Sequence, residues 1–110
     1  MVVYEGHRTG EGAHVERKVR KGENWETASL PPRLDLGYHS PSGLEWGYGG
    51  SGPAQLALAL LADALQDDER ALRIYQRFKW EVVTSLPDTD WQLSTEEIHH
   101  FAEEIEAKLE

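Results

Sequence analysis

The chain has 110 residues, a formal charge of −9 and no cysteine. That length suits one domain, 1–110, built on a single core, and the lack of cysteine excludes disulfides and thiolate chemistry. Residues 1–50 hold six Lys/Arg against seven Asp/Glu and residues 51–110 hold five against thirteen, which argues against nucleic acid as a partner for the second half, because phosphate neutralisation supplies most of such affinity.

Met1-Val2-Val3-Tyr4-Glu5 has neither a basic n-region nor a long apolar h-region. No secretory signal is expected, and the cytoplasm is the default compartment. Val2–Glu5 reads as a short strand and Gly6–Gly12 as a polar turn. His14–Arg20 alternates, with Val15 and Val19 on one face, and predicts a second strand. After a turn at Lys21–Asn24, Trp25–Leu30 predicts a third, closed by Pro31-Pro32. Arg17, Lys18, Arg20 and Lys21 with Trp25 form a basic ribbon that a phosphate backbone would fit. Glu16, Glu23 and Glu26 dilute it, and an edge strand guarded by charge accounts for it better.

Leu34, Leu36 and Tyr38 alternate with polar residues, as do Leu44, Trp46 and Tyr48. His39-Ser40-Pro41-Ser42-Gly43 separates the two runs. The pattern predicts a β-hairpin over 33–48. Within it His39, Ser40 and Asp35 suggest nucleophilic catalysis, but no nucleophile elbow or oxyanion site accompanies them. Turn duty is the simpler role for Ser40.

Trp46 to Leu61 then runs from aromatic residues through glycines into a very apolar helix. Pro53 suits a first helical position, with Ser51 or Gly52 as the cap. From Ala54 to Leu65 only Gln55 and Asp63 interrupt Ala and Leu, so the helix is expected to be buried on every side. It is too short to span a membrane. Gly49, Gly50, Ser51 and Gly52 would expose N–H groups where a helix dipole favours anions. An anionic ligand there would have Arg33, His39 and Gln55 nearby. The turn is neither of the standard phosphate fingerprints. Tight packing is the simpler reading for its glycines, and bonding a loop carbonyl the simpler one for Gln55.

Asp67 or Asp68 caps a second helix, with Ala71, Leu72, Tyr75, Phe78, Val82 and Val83 in helical period and Pro87 beyond its end. Trp80 stands off that stripe, which marks either a contact with the N-terminal sheet or a partner surface. Trp91 and Leu93 lead into a third helix, opened by a Ser94/Glu97 capping box with Leu93 and Ile98 as its staple. Its outer face carries Glu96, Glu97, Glu103, Glu104 and Glu106. His100 and Glu104 lie one turn apart, but adjacent His99 and His100 diverge, and no metal is expected. No cofactor is called for.

The pieces together resemble a family of small uncharacterised domains from bacteria and phages, catalogued as a domain of unknown function. The resemblance rests on Leu30-Pro31-Pro32-Arg33-Leu34-Asp35-Leu36, His39-Ser40-Pro41, the run from Glu45-Trp46-Gly47-Tyr48-Gly49-Gly50 to Ala57, and Tyr75–Val83. It implies no activity, cofactor or catalytic residue.

The expected fold is α+β: a small antiparallel sheet, the N-terminal strands plus the 33–48 hairpin, packed on three helices with the helix from Pro53 innermost. The expected function is a non-enzymatic cytoplasmic interaction module. Its protein partner would be a host protein in a phage or mobile-element setting, met by Glu96, Glu103 and Glu104. The alternative is a small-molecule binding protein or enzyme with its anion site at Gly49–Gly52.

Overall fold

The computed structural model describes residues 1–109. Three N-terminal strands, β1 (Val2–Thr9), β2 (Gly12–Lys21) and β3 (Asn24–Ser29), form an antiparallel meander. After a long irregular segment come α1 (Ser51–Leu65), α2 (Asp68–Glu81), a single 3-10 turn at Val83–Ser85, β4 (Trp91–Ser94) and α3 (Thr95–Lys108). The sheet order is β3-β2-β1-β4, with β4 antiparallel to β1. The fold class is α+β, a four-stranded antiparallel sheet with three helices.

The helix from the glycine turn is the core. Every residue of α1 except Ser51 and Asp63 is buried. Leu56, Leu58, Leu60 and Leu61 have no exposure at all. Burying each is worth on the order of 1.5–3 kcal/mol. Three structures sheathe the rod: the sheet through Tyr4, Val15 and Leu93, α2 through Ala71, Ile74 and Phe78, and α3 through Ile98, Ala102 and Ile105.

Two polar residues of α1, Asp63 and Gln55, tie it to other elements. Asp63 accepts hydrogen bonds from the Tyr4 hydroxyl on β1 and, at 2.7 Å, from Arg17 Nε on β2. Burial first, and then the Asp63 carboxylate, push the Tyr4 phenol well above its usual pKa. Gln55, about two turns nearer the start of the helix, holds the 31–50 segment.

That segment corrects the sequence reading. No strand forms anywhere between Leu30 and Gly50, so the 33–48 hairpin does not exist. The fourth strand is Trp91–Ser94 instead. The hairpin fails because the segment's backbone groups find partners on the helices. His39 and Ser40 donate to Gln55 Oε1 at 2.9 and 3.1 Å, and Gln55 Nε2 donates to the Pro32 carbonyl at 2.6 Å. Glu45 N–H donates to the Gly52 carbonyl and Gly47 N–H to the Val83 carbonyl, at 3.3 and 3.0 Å. With those groups satisfied, no cross-strand ladder is needed. Arg33, at φ 55°, reverses the chain at the segment's start.

Smaller corrections concern ends. β1 continues through the supposed polar turn to Thr9. The cap of α1 is Gly50, which makes Pro53 the third helical residue. There Pro is still harmless, because no first-turn N–H has an intrahelical acceptor. α2 stops at Glu81, short of Val82 and Val83. The caps predicted for α2 and α3 are present: Asp67 accepts from Arg70 N–H, and Ser94 and Glu97 form the reciprocal box.

Candidate functional site

The head of α1 is where the sequence concentrates glycines and aromatics, and the structure builds it from the core outward. Trp46 is the anchor, with no exposure. Its ring meets Trp91 edge-on, with centroids 5.6 Å apart, and the Arg8 guanidinium lies 4.5 Å above it. Arg8 also donates to the Trp46 carbonyl at 2.9 Å and pairs with Glu45 at 2.8 Å. One arginine on β1 thus fixes both residues that enter the glycine turn.

From Trp46 the chain surfaces. Tyr48 is 52% exposed and Trp80, on α2, is 60% exposed. The Trp80 ring lies against Gly49, where any Cβ would come within 2.4 Å of it. Gly52 is equally closed, because a Cβ there would meet the Glu45 side chain at 2.6 Å. These glycines are required by close packing. Lys79 adds a buried stem whose ammonium sits 4.3 Å over the Trp80 ring, a cation–π contact. Further along α2, Tyr75 shares a 2.9 Å hydrogen bond with the ring of His39. Tyr38, next to His39, is 72% exposed. Tyr38, Tyr48 and Trp80 are exposed along the line where the 31–50 segment meets α2, at the His39–Tyr75 and Gly49–Trp80 contacts, and make up an aromatic rim of separate rings.

Of the residues proposed for an anion site, His39 and Gln55 come together near the glycine turn, with His39 N–H 2.9 Å from Gln55 Oε1, while the Arg33 side chain is directed elsewhere. Arg33 chelates Asp68, with bonds of 2.7 and 3.1 Å, and also holds Asp35. Those two carboxylates raise its pKa, and Arg33 in turn lowers that of Asp35. Asp68 opens α2, so Arg33 sits at the tail of α1, in a cavity of about 410 Å³ with Asp63, Gln66 and Asp67. Gln55 is fully buried and engages the loop through both its oxygen and its nitrogen. Its role is to staple the loop. His39 is held through its backbone N–H and its ring. Gly49 and Gly50 lie in the bend before α1, and Ser51 and Gly52 are the first two residues of the helix. The hollow beside Ser51 and Gly52, about 510 Å³, is lined by Ser40 and Ser42 but also by Glu11 and Glu45. Two carboxylates in that lining oppose an incoming anion.

The remaining candidates disperse as well. Glu96, Glu103 and Glu104 are exposed on α3. Glu104 pairs with His100, and Glu106 is held by Arg70, which lowers its pKa. His99 donates to the Ala64 carbonyl at 3.0 Å. No group of three or more potential metal ligands occurs among the described residues. The basic ribbon divides. Arg17 goes to Asp63, Lys18 to Glu5 and Lys21 to Glu26, and Arg20 lies over Trp25. No helix among the described residues is long and apolar enough to cross a membrane.

Lys79 and the outward turn of Tyr38 went unmarked in the sequence. Trp80 had a signal, its place off the apolar stripe of α2. Of the two roles that position allows, the sheet contact is not made, because the indole packs on Gly49 instead.

The chain belongs to a family of unknown function, DUF6166, whose model matches residues 4–104. The match takes in the sheet, the glycine turn and most of α3. No curated protein and no solved structure matches.

Proposed function

We propose, for this member of that family, a cytoplasmic and non-enzymatic interaction module that binds a protein partner through the aromatic rim at the head of α1. The observation that carries the reading is the exposure of Tyr38 and Tyr48, at 72 and 52%, on the firmly held 31–50 segment, and of Trp80, at 60%, on α2 beside it. Large aromatic side chains on a rigid support give contact area at low entropic cost, and such residues dominate interface energetics. Gln55, Arg8 and the Val83 carbonyl supply the rigidity.

The partner's complement is an apolar pocket or groove that takes Trp80 and Tyr48. The charge of −9 and the exposed Glu96, Glu103 and Glu104 favour a partner of net positive charge by long-range steering, which acts mainly on the association rate. In a phage or mobile-element setting that partner would be a host protein. The anionic-ligand alternative has less support, because Arg33 and Gln55 are engaged elsewhere and Glu45 lies against Gly52.

The test is affinity capture with the wild type, a Tyr48→Ser/Trp80→Ser variant and a Glu103→Lys/Glu104→Lys variant. A partner kept by the charge-reversed protein and lost by the aromatic variant is the expected result. Loss only on charge reversal would move the contact to α3. Recovery of no partner by any form would overturn the reading.

A further inference from the structure

A different part of the molecule carries a second interaction. β3 ends the sheet, and all six of its residues are exposed. Its pairing with β2 runs without interruption from Glu16↔Ser29 to Lys21↔Asn24, so no bulge twists the edge away. Asn24-Trp25-Glu26-Thr27-Ala28-Ser29 contains no Lys and no Pro. Free edges are ordinarily blunted by such devices.

The direction of the free backbone groups follows from one bond. Leu30 N–H donates to the Val15 carbonyl at 3.1 Å, continuing the register of β3 on β2. Hydrogen-bonded residues alternate along an antiparallel strand. Ala28, Glu26 and Asn24 therefore also face β2. Trp25, Thr27 and Ser29 turn their N–H and C=O groups outward.

We propose that β3 pairs antiparallel with β3 of a second copy of this chain, about a two-fold axis at Thr27. In that register Thr27 faces Thr27, Trp25 faces Ser29 and Glu26 faces Ala28. All three outward residues are used, giving about six backbone hydrogen bonds. Sliding the strands one step one way would set Glu26 opposite Glu26, a like-charge pair. Sliding the other way would set Trp25 opposite Pro31, which has no N–H to give. The strand is thus complementary to itself in one register, which is why a second copy is the occupant. The product is a continuous eight-stranded sheet with isologous symmetry. The surface is separate from the aromatic rim, so each site can fail without the other.

Sedimentation equilibrium over a wide concentration range tests it. The wild type is expected to dimerise reversibly. Thr27→Glu places two carboxylates across the axis, yet within each chain it faces Lys18 on β2, so the fold is preserved. Thr27→Pro removes only an N–H that points away from β2. Each should weaken the dimer roughly tenfold or more, with the circular dichroism spectrum unchanged, and Trp80→Ser should leave it unaltered. A wild type that stays monomeric at every concentration would overturn the proposal, as would a dimer indifferent to both Thr27 substitutions.

Discussion

Helix α1 and the 31–50 segment lie side by side and satisfy their backbones in opposite ways. The helix closes its own hydrogen bonds and gives almost every side chain to the core. The segment has no ladder of its own and takes partners from Gln55, Gly52 and Val83. Support for the helix is therefore spread over many apolar contacts. The segment's side chains reach the core mainly through Trp46, and its backbone hangs on a few polar points, one of them a single side chain. Damage to the first should be felt by the whole molecule, and damage to the second should be felt locally.

The largest expected effect comes from the distributed side of that contrast. Leu60→Ala, in the fully buried centre of α1, should lower unfolding stability by about 2–5 kcal/mol, measured by denaturant titration. Gln55→Leu should cost roughly 1–3 kcal/mol, because it strands two N–H groups and a carbonyl. Hydrogen exchange gives the sharper reading there: protection should fall at His39 and Ser40 and persist within α1. Uniform loss across both regions would erase the distinction. Trp80→Ser should change stability by only about 0.5 kcal/mol, as befits an exposed side chain, while abolishing partner capture.

The smallest effect is on acid stability. Glu5, Glu81 and Glu106 are each held below the ordinary carboxylate value of 4.5, chiefly by hydrogen bonds from Lys18, Arg77 and Arg70. A lowered folded value means that the contribution is complete above that pH and is lost as pH falls through the folded value. The leucines and alanines of α1 and the Gln55 amide carry no ionisable group. Acidification below pH 4.5 should therefore lower Tm modestly, and Glu106→Gln should lower Tm at pH 7 while blunting the acid response. An acid response unchanged in that variant would assign it to other carboxylates.

Those two regions also differ in how far the sequence reveals them. The signals for α1 and α3 are local. A continuous Ala/Leu run implies burial all round, and a Ser94/Glu97 pair three residues apart can bond only across a helix start. The alternation of Leu34, Leu36 and Tyr38 is equally plain, but alternation reports only which side chains match, and the acceptors that decide the backbone path lie on other elements. Ser40 and Gln55 are 15 residues apart, and Gly47 and Val83 are 36 apart. β4 was hidden for another reason: with four residues and two apolar positions, it reads as the approach to α3. At the candidate site, the glycine turn and Tyr48 stood out from composition. The grip of Arg8 on Trp46 and Glu45 did not, because nothing near Arg8 in the chain announces it.

The four tryptophans are divided evenly between two surroundings. Trp46 and Trp91 meet edge to face inside the molecule, while Trp25 and Trp80 stand in solvent at two separate sites. Intrinsic emission should accordingly contain a blue, quencher-resistant component and a red component open to iodide. Covering β3 or the aromatic rim would shield one indole of the red pair and leave the blue pair silent until the whole chain unfolds. With Trp25 replaced by Phe, the remaining red signal would report on the rim alone.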